Sequence, residues 1–127
     1  MTKEKKRLWI IAVDLDGVIL EFDYDKWAAD PSYFGKPKLG TISALRKLQQ
    51  EGYRIIIHTA RLDISRGVEA FIDMLEYIKA VLEKNNIPYD SIWVNAAKPR
   101  ADFYIDDKAI RFESWEQTLK IVMGSSR

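Results

Sequence analysis

Apolar and polar positions fall in blocks along this chain, and the period changes from block to block. Leu8-Trp9-Ile10-Ile11-Ala12-Val13 is an unbroken apolar run that ends in Asp14-Leu15-Asp16-Gly17, the pattern of a buried strand whose C-terminal end turns polar. Ile42, Leu45 and Leu48 recur at helical spacing with Ala44 beside them and Gly52 behind, which predicts a helix with a polar outer face and a glycine stop. Tyr53 to Thr59, rich in isoleucine, reads as a second buried strand. From Ile64 the positions Val68, Phe71, Ile72, Leu75, Ile78 and Leu82 keep steps of three and four, predicting a long amphipathic helix with a break near Gly67 and an end near Asn85 to Pro88. Ser91 to Asn95 is a third strand, and Ala101 to Asp107 is a fourth that again closes on two carboxylates. Ile110 to Phe112 predicts a short fifth strand. Ser114 with Gln117 forms a capping box opening a last helix that carries Trp115, Leu119 and Val122.

Strands alternating with helices in this way predict an α/β fold: a single Rossmann-like three-layer domain with a mostly parallel central sheet. The domain spans residues 8–123, between a flexible basic lead at 1–7 and a short tail at 124–127. Val18 to Pro37 fits neither period and reads as a long loop, rich in aromatics: Phe22, Tyr24, Trp27, Tyr33 and Phe34. A loop of that length in a compact domain is commonly functional, so these rings either shape a substrate pocket or pack the loop onto the core.

Composition narrows the chemistry. The 127 residues hold 20 basic and 19 acidic side chains, a net charge of +1, which leaves no global footprint for nucleic acid or an anionic membrane. No apolar run reaches the ~20 residues of a membrane span and the start lacks a signal-peptide core, so a cytoplasmic protein is expected. Without cysteine and with His58 as the only histidine, thiolate nucleophiles, disulfides and histidine-rich zinc sites are excluded. His58 sits beside three isoleucines and reads as a hydrogen-bonded core residue. Any metal should be a hard cation held by oxygen, which points to Mg²⁺.

Right-handed crossovers put the C-terminal ends of parallel strands on one edge, where open α/β sheets bind ligands. The residues delivered there are Asp14 and Asp16, Thr59, and Asp106 and Asp107, with Lys98 on a loop between strands. Carboxylates brought to about 4 Å repel by about 4 kcal/mol per pair at an effective dielectric near 20. Mg²⁺, Lys98 and a shared proton are the natural counterweights, and a metal with a lysine also suits a phosphate ester.

In order along the chain, Asp14-Leu15-Asp16-Gly17-Val18, Thr59 after an apolar strand, Lys98-Pro99, and Asp106-Asp107 after Phe103-Tyr104-Ile105 resemble the four motifs of the haloacid dehalogenase (HAD) superfamily. The resemblance implies a HAD-type phosphatase, a Mg²⁺-dependent phosphomonoester hydrolase working through an aspartyl-phosphate. Asp14 would be the nucleophile and Asp16 the general acid and base, the latter favouring phosphatase over dehalogenase. Thr59 and Lys98 would complete the catalytic set, and Thr59, Ala60, Arg61 and Lys98 would contact substrate, a surface salt bridge being the other reading of Arg61. Asp14, the backbone carbonyl of Asp16, Asp106 and Asp107 would hold Mg²⁺. Neither inter-motif gap has room for a cap domain, so a HAD-like core without a cap is expected. The tract from Lys98 to Phe112, with Thr59-Ala60-Arg61, most resembles small capless phosphatases of capsule and sugar-phosphate biosynthesis. The expected substrate is a sugar phosphate or other small phosphate ester, with no membrane partner and room for a homo-oligomer. A polynucleotide 3′-phosphatase, suggested by the open site and the basic lead, and a non-catalytic phosphoryl-binding module are the alternatives.

Overall fold

The computed structural model describes residues 8–124; the basic lead at 1–7 and the last three residues of the tail lie outside them. The elements run β1 (Ile10–Asp14), α1 (Tyr24–Ala29), α2 (Thr41–Gln50), β2 (Arg54–His58), a 3₁₀ turn (Ile64–Arg66), α3 (Val68–Lys84), β3 (Ser91–Ile92), β4 (Phe103–Ile105) and α4 (Trp115–Met123).

The strands form one sheet in the order β3-β2-β1-β4, parallel at every pairing. Its centre is β1 against β2, registered Ile10 with Arg54 through Asp14 with His58. Alternate residues Ile11, Val13, Leu15, Ile55 and Ile57 share a core with Leu45 of α2, Ile78 and Leu82 of α3, and Ile87. The apolar steps of both helices therefore record one buried face. Ala12 and Ile56, pointing the other way, are buried as well, which is why the runs of β1 and β2 are continuous rather than alternating.

Two aspartates close the parallel pairs at the opposite end of the sheet. Asp90 Oδ2 accepts from Ile55 N at 2.6 Å, and Asp102 Oδ2 accepts from Ile10 N at 2.8 Å. Each sits just before its own strand and satisfies a backbone donor of the neighbouring one.

The long helix divides at Gly67, whose φ of 105° ends the 3₁₀ turn. Two expectations change at the C-terminal side. The third strand contracts to Ser91–Ile92, and the fifth strand at 110–112 does not form. Phe112 instead meets Trp115 edge to face, ring centroids 5.2 Å apart. With β4 itself only three half-exposed residues long, the edge presents too short a ladder to recruit another strand.

The segment Val18–Pro37 is more structured than its pattern predicts. It contains the six-residue helix α1, started by Asp23, whose Oδ1 accepts from Lys26 N at 3.1 Å. Its two feet are tied by Glu21 N to Lys36 O at 2.8 Å and Lys38 N to Ile19 O at 2.9 Å. Gly35 is needed at that crossing, because a Cβ there would overlap the Glu21 carbonyl.

Candidate active site

The polar ends of β1, β2 and β4 converge on one edge of the sheet. Asp14 is the last residue of β1, and its Oδ1 accepts from Leu15 N at 2.9 Å, which fixes the carboxylate at the point where the chain leaves the strand. The chain then wraps tightly, Ile19 N and Leu20 N both donating to Leu15 O. Gly17 makes this turn possible in two ways: its φ is 86°, and a Cβ there would run into the carboxylate of Asp107. The glycine after the aspartate pair therefore lets β1 and the end of β4 approach.

One oxygen each from Asp14, Asp106 and Asp107 lie within 4.8 Å of one another. Burial first, then the charge of Asp106, with smaller contributions from Asp107 and Asp16, raise the Asp14 pKa from 3.8 to about 6, against the opposing hydrogen bond from Leu15 N. Three carboxylate oxygens this close together are a hard donor set that fits Mg²⁺. The structure thus brings together three of the four aspartates expected around a metal. The side chain of the fourth, Asp16, is held elsewhere.

Asp16 faces Arg61 across the mouth of the site. Arg61 Nε donates to Asp16 Oδ2 at 2.6 Å and Nη2 to Asp16 Oδ1 at 3.0 Å, a two-point pairing. The ion pair is buried rather than superficial, the arginine side chain being 5% exposed, and Arg61 also lines the cavity beside Asp14 and Thr59.

Thr59 follows β2, and its Oγ1 accepts from Arg61 N at 3.1 Å, leaving the hydroxyl proton free to be aimed at a ligand. Lys98 stands on the other side of Thr59, in a hollow the two share. Its Nζ lies 4.2 Å from the centre of the Tyr104 ring and forms no ion pair with a described carboxylate. Tyr104 is itself anchored by its hydroxyl, which donates to Pro99 O at 2.5 Å.

His58 departs from the hydrogen-bonded core residue expected of it. Its Nε2 is buried with no hydrogen-bond partner among the described residues. Burial chiefly, with Lys98 adding to it and Asp106 opposing, holds its pKa below the usual 6.5.

A cavity of about 330 Å³ opens beside Asp14, Asp16, Thr59 and Ala60. Phe22, Trp27 and Pro31 from the long segment form one apolar wall, and Met74 of α3 adds to the lining. The exposed Arg66 and Lys108 bring positive charge to it. A second hollow, about 350 Å³, lies between Thr59 and Lys98 and includes His58, Trp93 and Asn95. Sequence reasoning missed Arg66, Met74 and Lys108. Lys108 directly follows the aspartate pair, a position that could have marked it, whereas Arg66 and Met74 carry no signal that separates them from other residues of an amphipathic segment.

Among the described residues, no helix is long and apolar enough to cross a membrane. No family model matches the chain, and no curated protein matches it. Among solved structures, a conserved protein from Bacteroides thetaiotaomicron is similar over 95% of this chain and 94% of its own, with a TM-score of 0.54 and 22% identity. Two D,D-heptose 1,7-bisphosphate phosphatases resemble it more loosely. The one from Burkholderia thailandensis has a TM-score of 0.41 and 20% identity over 67% of this chain and 52% of its own. The one from B. bronchiseptica, complexed with magnesium and phosphate, has a TM-score of 0.46 and 20% identity over 80% of this chain and 54% of its own. The chain spans about half the length of these two enzymes. Its α/β fold, a parallel sheet with flanking helices, is shared with the Bacteroides protein along nearly the whole of both chains.

Proposed function

We propose that this protein is a HAD-type phosphatase that hydrolyses small phosphate monoesters through an aspartyl-phosphate on Asp14. The observation that carries the proposal is the convergence of Asp14, Asp106 and Asp107 at the strand ends beside a cavity that also meets Asp16 and Thr59.

Asp14, Asp106 and Asp107 would hold Mg²⁺, with the backbone carbonyl of Asp16. When bound, the cation neutralises phosphate charge and keeps Asp14 ionised despite its burial. The Asp14 carboxylate attacks phosphorus while the ester oxygen leaves and takes a proton from Asp16. Water, giving its proton to Asp16, then attacks the aspartyl-phosphate and returns Asp14. The Thr59 hydroxyl donates to a phosphoryl oxygen. Lys98, swinging from its seat over Tyr104, adds positive charge on that side.

The cavity of about 330 Å³ suits a small ester, with the apolar wall receiving the alcohol and Arg66 and Lys108 favouring one that carries further negative charge. A sugar phosphate meets both demands, since the C–H face of a sugar ring packs on aromatic rings and its phosphate supplies the charge.

Phosphate release from p-nitrophenyl phosphate and from a panel of sugar phosphates, with Mg²⁺, tests the reading. Activity should vanish with EDTA and in Asp14→Asn. Robust turnover in either case overturns it.

A further inference from the structure

The Arg61 guanidinium binds more than Asp16. Nη1 donates to Pro31 O at 3.0 Å and Nη2 to Tyr33 O at 2.6 Å. The ring of Phe34 packs against the group, its centre 4.1 Å from Cζ. Three successive parts of the long segment are thereby fastened to the side chain that also grips the carboxylate after β1. Nearly all the donors of the guanidinium are committed to the protein, and almost none of the side chain is exposed. Arg61 lines the cavity beside Asp16 and Thr59, yet four of its five guanidinium N–H donors are spent on Asp16, Pro31 and Tyr33.

We infer that Arg61 is a positioning residue that couples the aromatic wall to Asp16, so that the alcohol accepted by the wall and the group that protonates it are set by one guanidinium. The inference rests on the phosphatase reading above. Its atomic basis is the asymmetry of the fork. Nε donates its single N–H to Asp16 Oδ2 at 2.6 Å, whereas Nη2 donates one N–H to Asp16 Oδ1 at the longer 3.0 Å and the other to the Tyr33 carbonyl at 2.6 Å. Oδ2 is the anchor. Oδ1 is the more loosely held oxygen, at 3.0 Å against 2.6 Å, and so the one that can be given up while the bonds to Oδ2 and Tyr33 stay.

In the first half-reaction the proton passes from Asp16 Oδ1 to the ester oxygen as the phosphorus–oxygen bond breaks and the Asp14 oxygen bonds to phosphorus. In the second, water bonds to phosphorus, its proton goes to Oδ1, and the bond from phosphorus to Asp14 breaks. Throughout both, Nε keeps the carboxyl in place, and the carbonyls of Pro31 and Tyr33 keep the wall that contains Phe22 and Trp27 at a fixed distance from it. A lysine could supply the charge but not the planar fork that reaches the carboxylate and two carbonyls together.

The leaving group separates this role from a merely structural one. Nitrophenolate departs with little help from an acid, while an alkoxide requires a proton. Single-turnover cleavage with Mg²⁺ should therefore be measured for p-nitrophenyl phosphate and glycerol 2-phosphate in the unsubstituted protein, Arg61→Lys, Arg61→Met and Asp16→Asn. Loss of a positioned acid is expected to slow cleavage of the alkyl ester by roughly 100-fold or more in Arg61→Met and Asp16→Asn, with a far smaller loss on the aryl ester. Arg61→Lys, which keeps the charge and covers the case in which Arg61→Met does not fold, should display the same split in weaker form. Adding Arg61→Lys to Asp16→Asn should cost the alkyl ester nothing further. Equal losses on both esters, no loss on either, or full additivity in the double variant overturns the assignment. Failure of the unsubstituted protein to cleave either ester overturns the phosphatase reading and this assignment with it.

Discussion

The pair β1–β2 and the stretch from β4 to α4 both deliver carboxylates to the same site, yet they are built in opposite ways. Ile11, Ala12 and Val13 of β1 and Ile55, Ile56 and Ile57 of β2 are buried, and β1 pairs over its whole length. Phe103, Tyr104 and Ile105 of β4 are 50%, 41% and 40% exposed, and α4 buries none of its residues. Asp14 thus stands on a strand packed on both faces, while Asp106 and Asp107 hang from a three-residue edge strand. What holds that edge in register is a small set of specific contacts: its pairing with β1, the Asp102 bond to Ile10 N, and the stack of Phe103 on Trp9 at 5.9 Å. Stability and the placement of the carboxylates are therefore separable in this molecule. The first is seated in the centre, the second at its border.

The largest expected effect follows directly. Ile57→Ala removes a fully buried side chain and should cost about 2–5 kcal/mol, whereas Ile105→Ala at the edge should cost under about 1 kcal/mol. Urea unfolding of the two variants reads the difference, and comparable losses would erase the contrast.

Gly17→Ala acts where the two regions meet. A β-carbon there opposes both the backbone conformation and the Asp107 carboxylate, so a cost of about 1–3 kcal/mol is expected. Magnesium affinity measured by calorimetry should fall with it. An unchanged affinity would mean that Asp107 can retreat without disturbing the carboxylate group.

The third contrast is one of pH. An Asp14 pKa raised from 3.8 to about 6 contributes stability that is fully present below the lower value and lost as pH rises through the higher one. His58, held below 6.5, acts in the opposite sense, so the informative quantity is the effect of Asp14→Asn rather than the raw pH curve. In metal-free protein this substitution should raise the melting temperature more at pH 7 than at pH 5. Saturating Mg²⁺ should stabilise the unsubstituted protein instead, by about 2.7 kcal/mol at 100 times its Kd. A pH-independent effect of the substitution would locate the carboxylate strain elsewhere.

The smallest effects come from the paired strand-end aspartates. Asp90→Ala, which frees the buried-strand donor Ile55 N, and Asp102→Ala, which frees Ile10 N beside the edge, should each cost about 1–2 kcal/mol. Only the second should weaken magnesium binding, since it alone loosens β4. Equal effects on affinity would show that the border needs no such tie.

Both carboxylate pairs of the candidate site were legible along the chain because they lie within continuous patterns. An apolar run closing on Asp14-Leu15-Asp16, another closing on Asp106-Asp107, and two helices with regular apolar steps are local signals, and parallel topology turns strand ends into a shared edge. Where the pattern was short or interrupted the reading weakened. Helix α1 is only six residues long, from Tyr24 to Ala29, and buries nothing, so it leaves no period to detect. The fifth strand failed because its apolar residues found aromatic packing, Phe112 on Trp115, in place of a ladder.

The sequence by itself determined the order of the four strands and the helices α2, α3 and α4, the buried centre of the sheet and the identity of the carboxylates at its edge, since each of these depends on neighbours a few residues apart. Only the tertiary structure decided that Asp16 belongs with Arg61, 45 positions away, that Lys98 rests on Tyr104, and that Gly17 is where Asp107 passes. Those partnerships are chosen by the direction in which a side chain leaves its loop, and that direction exists only once the sheet has brought the loops together.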